Sequence, residues 1–180
     1  MKIRNNRQKI VGLLAGLGCT ALVQATEPDY SRLTIDDALT GAAFVVSGNL
    51  LNNPRPELVA SAFGPFAFGP MGPIPPAAGQ VVMYRNAQPG NRPNAQLDRW
   101  IRTNIVSEAD GITFPNRPQI ENVDGKGDPD VIVPGGYFFD TFLGNARGSI
   151  TWWESRKGGK RWIRHDVVTD SPFSYHSVLF

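Results

Sequence analysis

The stretch that decides the fold is residues 122–133, "NVDGKGDPDVIV", in which a loop rich in aspartate and glycine runs directly into a short apolar segment. Residues 49–60, "NLLNNPRPELVA", match it position by position. Both begin with asparagine, both carry a proline, at Pro56 and Pro129, and in both an acidic residue and an apolar run follow the proline. Such self-similarity at a fixed spacing indicates an internal repeat.

Two further blocks continue the match in the same order. "GQVVMYRN" at residues 79–86 corresponds to "GSITWWES" at 148–155, and "RWIRTNIV" at 99–106 corresponds to "RWIRHDVV" at 161–168. The spacing between equivalent residues shrinks from block to block, because the connecting loops differ in length. Three blocks in one order therefore predict two copies of a unit of roughly 60 to 75 residues.

Each copy contains four segments typical of β-strands. The apolar runs "ELVASA" and "DVIVP" follow the two loops, and the matched blocks mix β-branched and aromatic residues with polar ones at near-alternating positions. A further candidate precedes each loop, "AAFVVSG" at 42–48 and "RPQIEN" at 117–122. The sequence therefore predicts an all-β fold of tandem four-stranded antiparallel units, the first at about 42–106 and the second at about 118–168.

The first 25 residues have the organisation of a secretory signal peptide. Four basic residues between Lys2 and Lys9 precede the apolar run "IVGLLAGLGCTALV" and a small-residue site that ends at Ala25. The run is shorter than the roughly 20 residues that a membrane span needs. We expect cleavage after Ala25, a secreted or periplasmic location and no membrane attachment afterwards. Residues 26–41 would then be an N-terminal segment, in which "YSRLTIDDAL" is a candidate short helix.

Removal of this segment changes the charge and the cysteine content. The chain has 18 basic and 16 acidic residues, and loss of the four basic residues leaves 14 against 16, a formal charge of −2. A nucleic-acid partner is therefore not indicated. The single cysteine, Cys19, also leaves, so no disulfide braces the mature chain in an oxidising compartment. A stabilising feature other than a disulfide is therefore expected in the mature chain.

Long loops rich in proline, glycine and aromatic residues separate the second and third strand of each copy. They read "FGPFAFGPMGPIPPAAG" at 63–79 and "GGYFFDTFLGNARG" at 135–148. Proline and glycine should interrupt any strand pairing here. The aromatic residues either cover the ends of the sheets or form a binding face, because insertions in repeat proteins often gather on one face.

This organisation resembles the FG-GAP and VCBS repeats. The resemblance rests on "NVDGKGDPDVIV", "GSITWWE" and "KRWIRHDVV" and covers about residues 42–180. It implies that the two units are blades of a β-propeller and that residues 173–180 are the first strand of a third blade. A propeller needs typically 4 to 8 blades, so the chain is a fragment of a longer protein, assembles with other chains, or packs its two sheets as a sandwich. We expect a fragment whose further blades lie in a missing C-terminal part.

In that family the loop reads D-x-D-G-D-G-D-x-D and commonly binds calcium. Carried over by position, the metal ligands would be Asn122, Asp124, Asp128 and Asp130. The residues themselves also suit calcium, which takes six to eight hard oxygen ligands. Neither cysteine nor histidine lies nearby, so soft metals are not implied.

Lys126 occupies the fifth position of the loop, and its ammonium group cannot coordinate a metal. Two alternatives follow. Either Lys126 faces away and the loop is a structural calcium site, or its ammonium neutralises the crowded carboxylates in a metal-free turn. The first loop has Leu51 and Arg55 at the third and seventh positions and is predicted to be metal-free.

The other conspicuous side chains have structural interpretations. Trp152, Trp153 and Trp162 are expected to fill the core and not to form a stacking platform for sugars. His165 and His176 are expected to be hydrogen bonded within the fold and not catalytic.

Two classes of function are therefore left. The first is a non-catalytic scaffold, secreted or periplasmic, that displays its loops for protein or carbohydrate binding. The alternative is the N-terminal part of a propeller enzyme that acts on sugars, of the lyase or dehydratase type. The choice rests on analogy, because a fold does not fix a function.

Overall fold

The regular secondary structure consists of β-strands, as the sequence predicts. The computed structural model describes residues 32–65, 67–70, 72–74, 78–87, 100–136 and 148–179. The predicted signal peptide and most of the long loop at 135–148 lie outside these residues. In chain order the strands are β1 (Ala42–Gly48), β2 (Glu57–Ala62), β3 (Ala67–Gly69), β4 (Gly72–Ile74), β5 (Gln80–Asn86), β6 (Trp100–Val106), β7 (Gln119–Glu121), β8 (Asp130–Gly135), β9 (Gly148–Arg156) and β10 (Arg161–Ser171). A single 3-10 turn, Glu108–Asp110, is the helical element of the described ranges.

The strands form two four-stranded antiparallel sheets. The first has the order β1-β2-β5-β6 and the second the order β7-β8-β9-β10, so each strand pairs with its sequence neighbours within the unit. The prediction of two four-stranded antiparallel units is confirmed. A short hairpin, β3–β4, lies within the long loop of the first unit, where the prolines and glycines led us to expect no pairing. As far as the chain is described, the two sheets do not close into a ring.

The two sheets are paired in the same register. Residues that are aligned between the two sequence copies form equivalent cross-strand pairs in the two sheets. The third strand of each four-stranded sheet is β5 in the first and β9 in the second, as expected. Three pairs of the first sheet and their counterparts in the second show this. Leu58–Tyr84 corresponds to Val131–Trp153, Val59–Met83 corresponds to Ile132–Trp152, and Met83–Thr103 corresponds to Trp152–His165. Even the irregularity in the last strand recurs, because Ile105 in β6 and Val167 in β10 are both left out of the pairing. The repeat therefore extends to individual hydrogen-bonded positions.

A shared hydrophobic core holds the two sheets together. It contains Leu50, Val59, Val81, Met83, Ile105, Val106, Ile112, Val131, Val133 and Trp153. Side chains alternate between the two faces of a sheet. The face of the first sheet that packs into the core carries Val59 and Met83. In the second sheet the equivalents of these residues, Ile132 and Trp152, lie on the face that points away from the core, so the second sheet packs through its opposite face. The two units are therefore stacked in the same orientation.

Residues 36–39 pack against the other face of the first sheet. Leu39 packs against a second cluster that includes the buried Tyr84. The Tyr84 hydroxyl donates to Asp36 Oδ2 at 2.5 Å, and Arg102 pairs with the same oxygen at 3.1 Å. The bond from Tyr84 is the main reason why the pKa of Asp36 lies below its ordinary value. Residues 32–41 are not helical, because Asp36 Oδ1 accepts the N–H of Ala38 in a local turn that competes with a helix.

The C-terminal segment lies against the connection between the units. Residues 172–179, in the region predicted to start a third unit, contain no assigned strand. Their backbone is nevertheless anchored, since Tyr175 N donates to Gly135 O and Arg117 N donates to His176 O, both at 3.2 Å. The buried Asn116 side chain donates to Tyr175 O at 2.8 Å. No helix in the described ranges has the length and apolar character to cross a bilayer.

Candidate metal-binding loop

Two equivalent loops connect the first and second strand of each sheet. The first loop, residues 49–56, joins β1 to β2, and the second loop, residues 122–129, joins β7 to β8. Because the flanking strands are paired in the same register, differences between the loops reflect their own side chains.

A buried carboxylate holds the base of the first loop. Glu57, the first residue of β2, is 1% exposed. Its Oε2 atom accepts the N–H groups of Leu50 at 2.9 Å and Leu51 at 3.1 Å. The carboxylate thus satisfies two backbone donors that the turn would otherwise leave without a partner.

Asp130 has the same position in the second loop. It is the first residue of β8, and its Oδ2 atom accepts the N–H of Val123, the equivalent of Leu50, at 3.1 Å. Asp130 is one methylene shorter than Glu57. Its other oxygen, Oδ1, accepts the N–H of Ser155 from β9 at 3.0 Å and so connects the loop to the next strand.

Burial raises the pKa of Asp130 above its ordinary value of 3.8. The two N–H bonds oppose this effect because they favour the charged form, while the negative charges of Asp124 and Glu154 add to it. Negative charge is therefore concentrated at the base of the second loop, and a cation there would relieve it.

Asn53 links the two ends of the first loop through its backbone N–H and its side-chain amide. Asn53 Nδ2 donates to the second oxygen of Glu57, and Asn53 Oδ1 accepts the N–H of Arg55 at 2.9 Å. Asn49 Oδ1 accepts the N–H of Asn53, also at 2.9 Å. The first loop is thus closed by hydrogen bonds that its own side chains make with the backbone and with Glu57.

The second loop lacks this internal closure. Asp124 Oδ1 accepts the N–H of Lys126 at 2.8 Å, the bond that Asn49 makes in the first loop. As a result, Asn122 Oδ1, the equivalent acceptor, is buried and receives no hydrogen bond from the described part of the chain. A buried acceptor oxygen without a partner is costly.

Lys126 does not neutralise the second loop. The residue is exposed, and its ammonium forms no ion pair with any carboxylate in the described ranges. Of the two arrangements that the sequence leaves open, the outward-facing lysine is the one found. Gly125 and Gly127, on either side of it, adopt φ values of 70° and 68°, which side chains rarely tolerate.

One of the four predicted ligands is engaged by the first loop. Asp128 Oδ1 accepts a hydrogen bond of 2.9 Å from Asn52 Nδ2, which links the second loop to the first. Accordingly, no cluster of three or more acidic, histidine or cysteine residues suited to a metal occurs in the part of the chain that is described. All four residues fit calcium by donor type. Asp124 and Asp128 each accept a hydrogen bond through Oδ1, and both oxygens of Asp130 accept backbone N–H groups.

The tryptophans have different environments. Trp153 is buried in the shared core, where its Nε1 donates to Thr151 Oγ1 at 3.0 Å, and Trp162 packs against that core, as predicted. Trp152 lies on the opposite face of the second sheet, where its ring stacks on His165 with centroids 4.0 Å apart. His165 Nε2 lies 3.1 Å from Glu154 Oε2, which confirms the expected hydrogen-bonded role of this histidine.

Sequence reasoning missed the residues that organise the first loop. The signal for Glu57 was present, since the repeat aligns it with Asp130, an acidic residue at the same strand start. The role of Asn53 and the bond from Asn52 to Asp128 depend on side-chain direction. No pattern in the sequence indicates that direction.

Comparisons of the chain with protein-family models, curated proteins and solved structures found no match.

Proposed function

We propose that the chain is a non-catalytic, secreted or periplasmic scaffold of the FG-GAP/VCBS type. Its units are blades of a β-propeller, its second loop is stabilised by calcium, and its loops are displayed for protein or carbohydrate binding. The identical register of the two sheets supports a repeated blade.

The contrast between the two loops carries the calcium part of the proposal. Both have a buried carboxylate at the base, but in the first loop an amide of the chain donates to it. In the second loop no described residue donates to Asn122 Oδ1, burial raises the pKa of Asp130, and Lys126 is exposed. Oxygen atoms without a donor beside a buried carboxylate are the environment that a hard cation prefers.

Asn122, Asp124, Asp128 and Asp130 would hold the ion, with Asp128 contributing the carboxylate oxygen that does not accept the Asn52 amide. When bound, calcium would supply positive charge to a loop whose own lysine, Lys126, is exposed to solvent. The role is structural, because the loop joins two strands of one sheet and the ion would tie them together. No reaction step is implied.

Thermal unfolding with calcium and with chelator tests this proposal. Extracellular modules bind calcium with dissociation constants of about 10⁻⁴–10⁻³ M, and a ligand at 100 times its dissociation constant adds about 2.7 kcal/mol. At about 2–4 °C per kcal/mol for a domain of this size, saturating calcium should raise the Tm by roughly 5–11 °C. Asp124→Ala should abolish the increment. Asp37→Ala, which removes an exposed carboxylate outside the loop, should preserve it.

The same measurement can reject the calcium site. A Tm that does not respond to calcium, or an increment that survives Asp124→Ala, would show that the second loop is a metal-free turn. Replacing calcium by magnesium adds a second criterion. The smaller ion demands stricter octahedral geometry and should stabilise much less.

A separate experiment tests the display of loops. Purified protein, saturated with calcium, would be screened against immobilised glycans and, in parallel, assayed for cleavage of the same glycans. Binding without cleavage is the expected result if carbohydrate is the ligand. Cleavage would reject the non-catalytic function and favour an enzyme.

A further inference from the structure

A polar cavity of about 380 Å³ lies beside the second sheet, next to the connection that leads from the first unit. The connection contributes residues 111–113, and strands β9 and β10 contribute the side chains of Ser149, Arg164, Thr169 and Asp170. A cavity of this size in which a few polar groups converge is typical of a small-ligand site. None of the four predicted metal ligands lines it, so it is distinct from the second loop.

In the first unit the equivalent place is filled by the chain itself. Gln80 Oε1 accepts a hydrogen bond from Arg102 Nη2 at 2.9 Å, and Gln80 Nε2 donates to Glu108 Oε1, also at 2.9 Å. One carboxamide therefore bridges a guanidinium group and a carboxylate, because it carries an acceptor next to a donor.

Three side chains are smaller in the second unit than at the aligned positions of the first. Ser149 stands where the first unit has glutamine, Asp170 where it has glutamate, and Gly135 where it has alanine. A Cβ atom on Gly135 would lie 3.0 Å from Ser149 Oγ and 3.0 Å from Ile112 Cγ2, so the missing side chain leaves space beside two residues of the cavity. The arginine is retained as Arg164, and the bridge between it and the acid is gone.

The polar groups left around the cavity have free hydrogen-bonding capacity. Ser149 Oγ is buried and bonds to no described residue, which is costly for a buried hydroxyl. Arg164 donates through Nε to Asp166 and through Nη1 to the carbonyl oxygen of Asp110, both at 2.6 Å, and its Nη2 atom has no partner in the described part of the chain. The Asp170 carboxylate forms no ion pair within the same ranges.

The charges and hydroxyl groups of the cavity favour a neutral sugar. Arg164 is already paired with Asp166, and Asp170 adds a negative charge, so no excess positive charge is present to hold a phosphate or a carboxylate. A carboxamide would bridge Arg164 and Asp170 but leave the hydroxyls of Ser149 and Thr169 unused. Adjacent hydroxyls of a sugar ring can accept from Arg164 and donate to Asp170, and the other ring hydroxyls can bond to Ser149 and Thr169.

We propose that this cavity binds one neutral sugar residue, with two adjacent hydroxyl groups that bridge Arg164 and Asp170. These hydroxyls take the place that the Gln80 side chain has in the first unit, and Ser149 and Thr169 bond to the remaining ones. The inference rests on the carbohydrate-binding function proposed above and assigns that function to a defined site.

Isothermal titration calorimetry of the purified protein with methyl glycosides of glucose, galactose and mannose tests the site. We expect at least one glycoside to bind to a single site with a dissociation constant of about 1 mM. Ser149→Gln should weaken this binding at least about tenfold, because the new amide can bridge Arg164 and Asp170 as in the first unit. Ser47→Gln is the matched control, since it makes the same change at an exposed strand residue that does not line the cavity. It should bind as wild type does.

Asp170→Gly is a second variant that removes one of the two bridging groups. Glycine is chosen because Asp170 has a φ of 50°, which glycine adopts without strain. This variant should also weaken the binding at least about tenfold. Circular dichroism and the Tm of each variant establish that it is folded.

The outcomes separate this site from the proposed function. Sugar binding that is unchanged in folded Ser149→Gln or Asp170→Gly would overturn the site and leave the carbohydrate-binding function standing. Failure of all three glycosides would also overturn the site, and the screen against immobilised glycans then shows whether the function fails with it. Inorganic phosphate and a glutamine-containing tripeptide are titrated in parallel. Binding of either one, lost in Ser149→Gln, would overturn the assignment to a sugar.

Discussion

Replacing Glu57 by glutamine tests whether the buried carboxylate organises the first loop. Glu57 Oε2 accepts two backbone N–H groups, and the other oxygen accepts the Asn53 amide. A glutamine side chain keeps one acceptor oxygen but places an NH₂ group against either the backbone donors or Asn53. Asn53 cannot rotate without cost, since its Oδ1 atom already accepts the N–H of Arg55.

The size of the effect follows from these contacts. The substitution removes at least one hydrogen bond to a charged acceptor in a site that is 1% exposed, a loss of about 1.5–3 kcal/mol. At about 2–4 °C per kcal/mol, the Tm should fall by roughly 3–12 °C. Thermal unfolding followed by circular dichroism in the presence of a chelator measures this without a contribution from the second loop.

Glu121→Gln is the matched control. Glu121 is exposed at the end of β7 and forms no ion pair within the described ranges, so the same chemical change should alter stability by less than about 0.5 kcal/mol. If Glu57→Gln melts at the temperature of the control, the carboxylate does not hold the loop and the comparison between the two loops loses its basis.

Three further substitutions have defined outcomes. Tyr84→Phe removes the hydroxyl that donates to Asp36 and should lower the free energy of unfolding in urea by about 1–2 kcal/mol. Gly148→Ala would place a Cβ atom 1.6 Å from the carbonyl oxygen of Phe173, so it should cost at least about 2 kcal/mol and make the C-terminal segment easier to proteolyse. Because the folded-state pKa of Asp130 is raised above 3.8, its contribution to stability is present below that pH and is lost as the pH rises through the folded pKa. In chelator, the free energy of unfolding of wild type, measured in urea relative to that of Asp130→Asn, should therefore fall as the pH rises above about 4, and saturating calcium should remove this trend.

The strand arrangement could be predicted because the sequence contains it twice. Residues that pair across strands in one sheet have aligned counterparts that pair in the other, as in Leu58–Tyr84 and Val131–Trp153. One copy alone would offer only short apolar runs, which do not distinguish a buried strand from other buried segments. The comparison of two copies removes that ambiguity.

Local hydrogen bonds explain what was not predicted from the sequence. The apolar spacing in residues 30–39 allowed a helix, but in the described part the Asp36 side chain forms a turn with Ala38. In the long loop of the first unit, residue Pro73 lies opposite Phe68 in the hairpin, a place where a proline is tolerated because the hairpin is short and has two free edges.

The candidate site was predicted in residue type but not in arrangement. The resemblance to the repeat family predicts Asn122, Asp124, Asp128 and Asp130 as oxygen ligands. Two competing hydrogen bonds then decide where their side chains point, since Asp124 accepts the N–H of Lys126 and Asp128 accepts the amide of Asn52. Both bonds are local or specific to this pair of loops, so a family pattern carries no information about them.

The two loops show how one backbone frame accommodates different chemistry at its centre. In both, a carboxylate at the start of the second strand accepts the N–H of the second loop residue, Leu50 or Val123. The longer Glu57 side chain also reaches Asn53, which fills the centre of the first loop. The shorter Asp130 is held by the backbone of β9 and leaves Asn122 Oδ1 without a donor. Since the frame is common to both loops, the difference between them lies in their own side chains: Asn53 donates to the carboxylate in the first loop, whereas in the second loop no described residue donates to Asn122 Oδ1.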